Sequence, residues 1–403
     1  MLLALVPRLG GEAIALVLLD AQLAITGIAL LAPVVAPPLS WLVGRILVPG
    51  VAGALARDNA RTAVRRTSST VAPILVTVGI AAATFAATAT LWDASERAAA
   101  ARVTAATIAL PAGAAGIADP GPGVPTAQSV VYVRNDDYSE EFDAMYTGPG
   151  VETVLRLPVR SGAVADLAGT DTVVVGSALA RATGWRTGGT ADLWLDDATP
   201  VRLRVVAVLE PSIDLDQTVL LPWALRAAHL PRSGADAVYL TGSSSSSVDG
   251  AGTVTAAEYF RSRNAEQRRL NHLALVAVLG MALVYTSIAI ANTLIMSTGG
   301  RSRDLAVLRL GGGTPRQVLT MIGAEAVLVG VTGVLLAGLV TAGMLGGLRA
   351  GLVPLVADPR TVVPWTPILL IAGACLTITF VASVVPAALA LRTPPGRLSS
   401  VRE

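Results

Sequence analysis

The sequence lacks the residues that nucleotide-binding sites most often need. It has 403 residues but no lysine, because all 30 basic residues are arginine. Without lysine the chain cannot form a phosphate-binding loop of the Gly-x-x-x-x-Gly-Lys-Ser/Thr type. We therefore expect any nucleotide hydrolysis linked to this protein to take place on another chain.

Cysteine and histidine are also scarce. The one cysteine, Cys375, lies in an apolar run, so the chain has no internal disulfide, and we expect this thiol to be a small core residue. The two histidines, His229 and His272, have no Cys, Asp or Glu at the sequence spacing of metal ligands. The sequence thus predicts no enzyme activity, no catalytic residue, no metal site and no cofactor.

Charge is the next shortage, and it points to a membrane. Only 14% of the residues are charged and 53% are hydrophobic, with a mean hydropathy of +0.63. Soluble domains carry about 25% charged residues. A bilayer core needs roughly 20 apolar residues per helix, and five runs meet that length: Ala13 to Ala36, Val71 to Trp92, Leu273 to Met296, Val318 to Leu348 and Thr366 to Leu391. The sequence predicts an α-helical membrane bundle of about five transmembrane helices.

Arginine placement predicts the orientation. Arginines cluster in segments 45–66, 301–316 and 392–402, and short arginine-rich loops face the cytoplasm. We therefore expect a multi-pass protein of the cell (plasma) membrane, with the N-terminus outside and the C-terminus cytoplasmic. The long insert at 93–271 is then extracytoplasmic. Binding to the lipid bilayer is expected, and nucleic-acid binding is not, because the arginine-rich loops are short.

The insert reads as a small α+β domain. It carries 21 acidic and 15 basic residues, a net charge of −6, while the rest of the chain is at +8. Segments 171–176, 190–195 and 201–209 have the pattern of strands, and 177–183 that of a short helix. Gly and Pro at 111–125 and the serine run at 243–247 predict linkers at the ends of the domain, or a surface loop for the second. Segments 94–106 and 256–272 predict helical stalks.

These patterns divide the chain into ten consecutive segments. They are an external stub with one helix and its cytoplasmic end (1–48), an arginine-rich cytoplasmic elbow (49–70), a helix (71–92), the extracytoplasmic domain (93–271), a helix (272–296), a cytoplasmic coupling helix (297–317), a helix (318–348), an external loop (349–365), a helix (366–391) and a cytoplasmic tail (392–403).

A short amphipathic segment lies between two of the apolar runs. Leu305 and Leu308 are spaced i, i+3, which places them on one helix face with charges on the others. This pattern predicts a docking surface for a soluble cytoplasmic partner, although an arginine-rich anchor with no partner remains the alternative. The Gly311–Gly313 run that follows predicts a turn. The candidate coupling residues are Arg301, Arg303, Asp304, Leu305, Leu308, Arg309, Gly312 and Gln317.

Few polar side chains fall inside the apolar runs. Glu325 is the only acidic residue within the last three runs, and we expect it to pair with an arginine or to stay protonated, because an unpaired charge is costly there. Asn292 is the second candidate intramembrane polar residue. Small residues at Gly79, Ala83, Gly330, Gly333 and Gly338 predict faces where helices approach closely, either within the chain or at a dimer seam.

With these motifs in view, residues 50–403 resemble the FtsX-like (macrolide-exporter-type) permease family of ATP-binding-cassette systems. The resemblance rests on the order of one span, a large external domain and three spans. The residues that carry it are Leu55 to Arg61 with Arg65-Arg66, Asn292 to Val318, Gly162 to Glu210, and Pro386-Ala387-Ala388 before Arg392. The chain departs from the family at Gly311–Gly313, where a Leu-Gly-small triplet is usual, and at Asp304, where Glu is commoner.

The resemblance implies a permease subunit of an export or mechanotransmission complex. Its partners would be a cytoplasmic ATP-binding-cassette ATPase and a second permease unit, identical or different. Leu31 to Leu39 matches Val381 to Leu389 in spacing, so segment 1–48 is expected to be the tail of a preceding repeat in a longer two-unit permease. The alternative function is a non-transport regulator that activates an envelope enzyme such as a cell-wall hydrolase. A non-functional remnant is a further alternative.

Overall fold

The protein consists of a helical bundle and an inserted β-rich domain. The structure is a computed structural model that describes residues 12–47, 64–105, 107–113, 116–134, 139–229, 234–240, 251–299, 312, 314–353, 355–356 and 358–391. Its helices are α1 (Glu12–Leu30), α2 (Ala32–Leu47), α3 (Val64–Arg102), α4 (Val151–Val154), α5 (Ser177–Thr183), α6 (Trp223–His229), α7 (Ala256–Arg263), α8 (Ala265–Gly299), α9 (Pro315–Leu352) and α10 (Trp365–Leu391).

The described residues contain four helical segments that are long and apolar enough to cross a membrane. They are Thr70–Arg102, Arg268–Asn292, Pro315–Leu352 and Trp365–Leu389. α1 and α2 add a fifth if the pair is counted as one span. The expected α-helical membrane bundle with an inserted α+β domain is therefore confirmed.

The first apolar run is not the continuous helix that the sequence predicts between Ala13 and Ala36. α1 ends at Leu30, and α2 starts at Ala32 after a bend of 80°. Pro33 explains the break, because proline has no N–H for a helical hydrogen bond but is well tolerated in the first turn of a new helix. The prediction is corrected to a bent pair of helices.

α3 and α9 form the centre of the bundle, and small residues let them approach closely. A Cβ atom added to Gly333 of α9 would lie 2.9 Å from Cγ2 of Ile74 in α3. A Cβ atom added to Gly79 of α3 would lie 3.5 Å from Ile25 in α1 and 3.7 Å from Ala337 in α9. The predicted close approach is therefore found within this chain at Gly79 and Gly333, whereas nothing lies within 4 Å of a Cβ atom added to Gly338.

Paired hydroxyl groups link the helices inside the bundle. The buried Thr77 and Thr286 hydroxyls of α3 and α8 lie 2.6 Å apart. Ser40 of α2 and Thr332 of α9 lie 3.1 Å apart and are also buried. Polar groups in an apolar environment need such partners, so these contacts fix the register between helices that are distant in sequence.

α8 and α10 pack on the outside of this centre. In each of these helices only 17% of the 18-residue apolar stretch is buried inside the protein. The corresponding values for α3 and α9 are 67% and 56%. Exposed apolar residues such as Met281 and Leu370 lie on these outer faces. A lipid environment, or another apolar surface, is therefore needed to cover them.

The inserted domain is built on a ten-stranded sheet. Its strands are β1 (Thr107–Pro111), β2 (Val124–Arg134), β3 (Ser139–Thr147), β4 (Val159–Gly162), β5 (Thr172–Val175), β6 (Thr190–Trp194), β7 (Pro200–Leu209), β8 (Val219–Pro222), β9 (Ala237–Leu240) and β10 (Ala251–Val254). They run in the order β10-β1-β9-β2-β3-β8-β5-β7-β4, with β3/β8 and β5/β7 parallel. β6 pairs with β7 and also meets β2, where Tyr132 lies opposite Trp194. Six strands thereby close into a ring.

The two faces of this sheet bury separate cores. Val175 and Tyr146 point into the ring and join one apolar cluster, whereas Val174 and Met145, their neighbours in sequence, join the other. This alternation follows from the strand geometry, in which successive side chains point to opposite faces. Tyr259 of α7 packs in the second cluster, so the returning helix is part of the domain core.

The structure confirms the elements that the sequence predicts between residues 171 and 209. β5, β6 and β7 match the three predicted strands, and α5 has the predicted bounds of Ser177–Thr183. The predicted linkers are placed differently. β1 precedes the glycine- and proline-rich segment 111–125, so that segment connects β1 with β2 inside the domain. The serine run at 243–247 lies outside the described residues, between β9 and β10.

The close approach at Gly333 predicts a difference between two glycines of α9. Gly333→Leu should destabilise the bundle by about 1 to 3 kcal/mol, because the new side chain would overlap Ile74. Gly338→Leu should be neutral or stabilising, since nothing lies within 4 Å of its added Cβ atom. Thermal unfolding of the purified full chain in detergent, followed by circular dichroism, measures both. Equal midpoints for the two variants would contradict this packing.

Candidate functional site

Most of the predicted coupling residues lie outside the described part of the chain. These are Arg301, Arg303, Asp304, Leu305, Leu308 and Arg309. The structure describes what flanks them: α8 reaches Gly299, and α9 begins at Pro315. Their role in docking stays a prediction.

Gly312 and Gln317 are the two coupling candidates that the structure describes. Gly312 has φ of +91°, a conformation that glycine adopts readily, which agrees with the predicted turn. Gln317 forms a capping box with Thr314, since the Gln317 side chain accepts from the Thr314 backbone N–H at 2.9 Å. Gln317 therefore fixes the start of α9, a role that the Thr-x-x-Gln spacing could have revealed.

The two intramembrane polar candidates have different surroundings. Glu325 of α9 is buried, with 2% of its surface exposed, and it is not without a partner. Asn292 of α8 is exposed. Because one side chain is buried and the other exposed, the two residues do not form a shared buried polar site. The pairing of Glu325 with an arginine stays a prediction.

The histidines and the cysteine occupy separate places. His229 Nδ1 lies 3.0 Å from Asp197 Oδ2, a contact that the sequence spacing did not indicate. The His272 ring lies 5.7 Å from the Phe85 ring. Cys375 is buried in α10, as expected. Among the described residues, no three His, Cys, Asp or Glu side chains are grouped so as to hold a metal ion.

The best-defined polar geometry lies where the bundle joins the inserted domain. α3 is one unbroken helix from Val64 to Arg102, and its end is bonded directly into the domain. The Arg156 N–H donates to the Arg102 carbonyl at 2.8 Å, and the Thr104 N–H donates to the Val154 carbonyl at 2.9 Å. The end of α3 is therefore attached to the backbone of the inserted domain.

A largely buried ion pair reinforces this junction. The Arg102 guanidinium is bonded to the Asp214 carboxylate, and the two side chains are 14% and 13% exposed. Burial raises the pKa of Asp214, while the neighbouring charge of Arg102 opposes that rise. Burial is the larger of the two effects, so the pKa of Asp214 stays above its ordinary value.

The loop that carries Asp214 contacts three parts of the protein at once. Ile213 packs against the bundle cluster that contains Leu348 and Leu352 of α9. Asp214 binds the end of α3. Leu215 packs in the second core of the inserted domain. We call residues Ile213–Leu215 the joint loop, and its three successive side chains couple bundle, stalk and domain.

A second ion pair connects the two stalks. Arg268 Nη1 of α8 lies 2.9 Å from Glu96 Oε1 of α3, and Glu96 is only 11% exposed. Arg268 also donates to the Arg261 carbonyl at 2.8 Å, across the break at Asn264 between α7 and α8. The predicted stalk at 256–272 therefore consists of two helices, and a hydrogen bond from Arg268 connects them.

Sequence reasoning missed both ion pairs. Arg102 and Asp214 are 112 residues apart, and Glu96 and Arg268 are 172 residues apart. No local periodicity connects such residues, and isolated charges on a helix usually face solvent. The available signal was weak: charged residues at the point where each apolar run ends.

Comparison with known proteins gives one family assignment. Residues 276–395 match the family model described as FtsX-like permease C-terminal. The match begins within α8 and runs beyond α10, so it covers the last three helices of the bundle. The resemblance seen in the sequence is confirmed for this segment. No curated protein matches the chain.

Two solved structures are similar to the inserted domain at a low level. One is the extracellular domain of the ABC-type transporter YknZ from Gram-positive bacteria, at 16% identity and a TM-score of 0.26, covering 37% of this chain and 79% of that one. Another is a domain of a permease protein from Porphyromonas gingivalis, at 15% identity and a TM-score of 0.26, covering 37% and 88%. Scores this low support no inference about this chain.

The junction predicts unequal effects for two arginines. Arg102→Met should destabilise the full chain by about 3 to 5 kcal/mol, because it leaves the buried Asp214 carboxylate unpaired. Arg202→Met is the matched control: Arg202 lies 2.6 Å from Asp192, but both side chains are more than half exposed, so little change is expected. Thermal unfolding in detergent measures each variant.

A double variant separates charge from packing at this junction. Changing Asp214→Leu together with Arg102→Met removes both charges and should recover most of the lost stability. Equal midpoints for Arg102→Met and Arg202→Met would show that the buried pair contributes little.

Proposed function

We propose that this chain, which carries an FtsX-like permease domain at residues 276–395, is the membrane subunit of an ATP-binding-cassette export or mechanotransmission complex. The family match is the observation that carries the proposal. In this complex a separate cytoplasmic ATPase hydrolyses ATP, and the permease converts the resulting movement into motion of its inserted domain.

The architecture supplies a direct route for such movement. α3 has 39 residues, which at 1.5 Å each make a rod of about 58 Å. It is packed in the bundle at one end and hydrogen-bonded to the domain at the other. A shift of α3 relative to α9 therefore moves the base of the domain, without any need for substrate to pass through the bundle.

The joint loop gives the inserted domain a second point of attachment through which movement would be transmitted. Ile213 rests on the bundle while Asp214 holds the end of α3, so the domain is attached both to the bundle and to the stalk. The Glu96–Arg268 pair then ties the outgoing stalk to the returning one. Movement of α3 or α8 would therefore reach the domain through both stalks.

The ATPase would dock on the segment that connects α8 with α9. We assign Leu305 and Leu308 as its apolar contacts, with Arg301, Arg303, Asp304 and Arg309 around them. Thr314 and Gln317 cap α9 immediately afterwards, so force on the segment would reach α9 through a rigid helix start. This assignment places the segment and the C-terminus in the cytoplasm and the inserted domain outside.

A second permease unit completes the proposed complex. The exposed apolar faces of α8 and α10 offer surfaces that lipid or a second unit would cover. A pair of units would face a pair of ATPases. The second unit is a copy of this chain or a different permease.

Co-purification tests the proposal. The tagged full chain, extracted from its native membranes in mild detergent, should recover a cassette ATPase identified by mass spectrometry. Leu305→Glu with Leu308→Glu should reduce that recovery by at least about tenfold, since each lost leucine contact is worth roughly 1.5 to 3 kcal/mol.

A control variant introduces two glutamates elsewhere. Arg202→Glu with Arg204→Glu places two glutamates at exposed positions of β7 in the inserted domain, and ATPase recovery should stay at the native level. Size-exclusion profiles check that each variant is folded. Absence of an ATPase from the native sample would contradict the proposal and favour the envelope-enzyme regulator. Equal losses in both double variants would contradict the assigned docking residues.

A further inference from the structure

A cavity of about 540 Å³ lies between the stalks, just where they leave the apolar part of the bundle. α3 lines one side and α8 the other, and Val362 and Pro364 of the α9–α10 connection contribute at one edge. Two hydrogen bonds hold that connection against α3. The Thr90 hydroxyl accepts from the Val362 N–H at 3.0 Å and donates to its carbonyl at 3.3 Å.

The wall of the cavity has an apolar level and a charged level. Phe85 and Leu275 form the apolar level, and each lies within a hydrophobic run. Asp93, Glu96, Arg268 and Arg269 form the charged level. Along both helices the sequence changes from apolar to charged at this height, so the cavity spans the polar–apolar boundary of the membrane on the side of the inserted domain.

The volume of the cavity suits a ligand rather than a packing defect. Pockets that bind small molecules measure about 300 to 1,000 Å³. A second cavity of about 200 Å³ lies farther along the same face of α3 and shares Trp92 and Glu96 with the first. The smaller cavity falls below that range, so the larger one is the candidate ligand site.

The charge of the wall favours an anionic group. The Glu96 carboxylate is already paired with Arg268, and Asp93 is paired with Arg97. Among the described residues, Arg269 has no ion-pair partner, although it lines the cavity and is exposed. A phosphate or carboxylate at this height would therefore meet an available guanidinium.

We propose that this cavity binds an anionic amphiphile of the adjoining membrane leaflet, with its aliphatic tail against Phe85 and Leu275 and its anionic headgroup at Arg269. One molecule then gives the apolar level an aliphatic partner and the charged level an anionic partner. The bilayer supplies molecules of this class. The inference requires only that α3 and α8 cross the membrane. It goes beyond the proposed function and is independent of ATPase docking and of which terminus is cytoplasmic.

Native mass spectrometry of the purified full chain tests the site with two lipids. The probes are phosphatidylglycerol, which is anionic, and phosphatidylcholine, which is zwitterionic, each added to the delipidated protein in detergent. The native chain should retain more phosphatidylglycerol than phosphatidylcholine. Arg269→Gln should weaken phosphatidylglycerol binding about fivefold, the effect of one basic residue near a membrane surface. It should weaken phosphatidylcholine binding less, because the choline ammonium offsets the charge of that lipid's phosphate.

Filling the cavity provides the second arm. Ala89→Trp places an indole in the cavity and should abolish preferential retention of phosphatidylglycerol. Leu370→Trp is the matched control, since Leu370 is 69% exposed on α10 and does not line the cavity. Thr88→Trp fills the cavity from the neighbouring position and serves if Ala89→Trp fails to fold.

The outcomes separate a built site from ordinary lipid contact. Loss in a folded cavity-filling variant together with native retention in Leu370→Trp supports the site. Equal retention in all tryptophan variants, or equal loss, would overturn it and leave only lipids around the bundle. A parallel fall for both lipids in Arg269→Gln would overturn the assignment of the headgroup. None of these results depends on ATPase recovery.

Discussion

The close packing of α3 against α9 is the constraint on which the other features of the molecule depend. An apolar environment gives two apolar helices little hydrophobic reason to associate, so their contact relies on tight van der Waals approach and on shared hydroxyl groups. Ile74 packs in the space left by the missing side chain of Gly333. The Thr77–Thr286 hydroxyl pair connects α8 to the same centre. α3 can serve as a stalk because its N-terminal half, which contains Ile74 and Thr77, is fixed in the bundle by these contacts.

A rod that is fixed at one end needs a stiff attachment at the other, and the inserted domain provides it. The end of α3 is hydrogen-bonded to the domain backbone and paired through Arg102 with Asp214. Ile213 and Leu215, on either side of that aspartate, pack on the bundle and on the domain core. Three adjacent residues thus connect the bundle, the stalk and the inserted domain.

The sequence predicted the elements whose signals are local. α5 and the strands β5 to β7 were found because their apolar residues follow a regular period. β3 was missed because it opens with Ser139 and two glutamates, and its buried half is too short to show alternation. The bend between α1 and α2 was missed because hydropathy averages over proline, while a missing backbone N–H acts at one position.

By itself, the sequence determined that the chain has several apolar helices, that a polar α+β insert interrupts them and that the last helices resemble a known permease. These properties follow from composition, period and motif, which are local. Only the tertiary structure decided that Arg102 meets Asp214, that Glu96 meets Arg268 and that a cavity opens between the stalks. Such contacts join residues more than 100 positions apart, and their energy depends on burial, which no local pattern in a single sequence records.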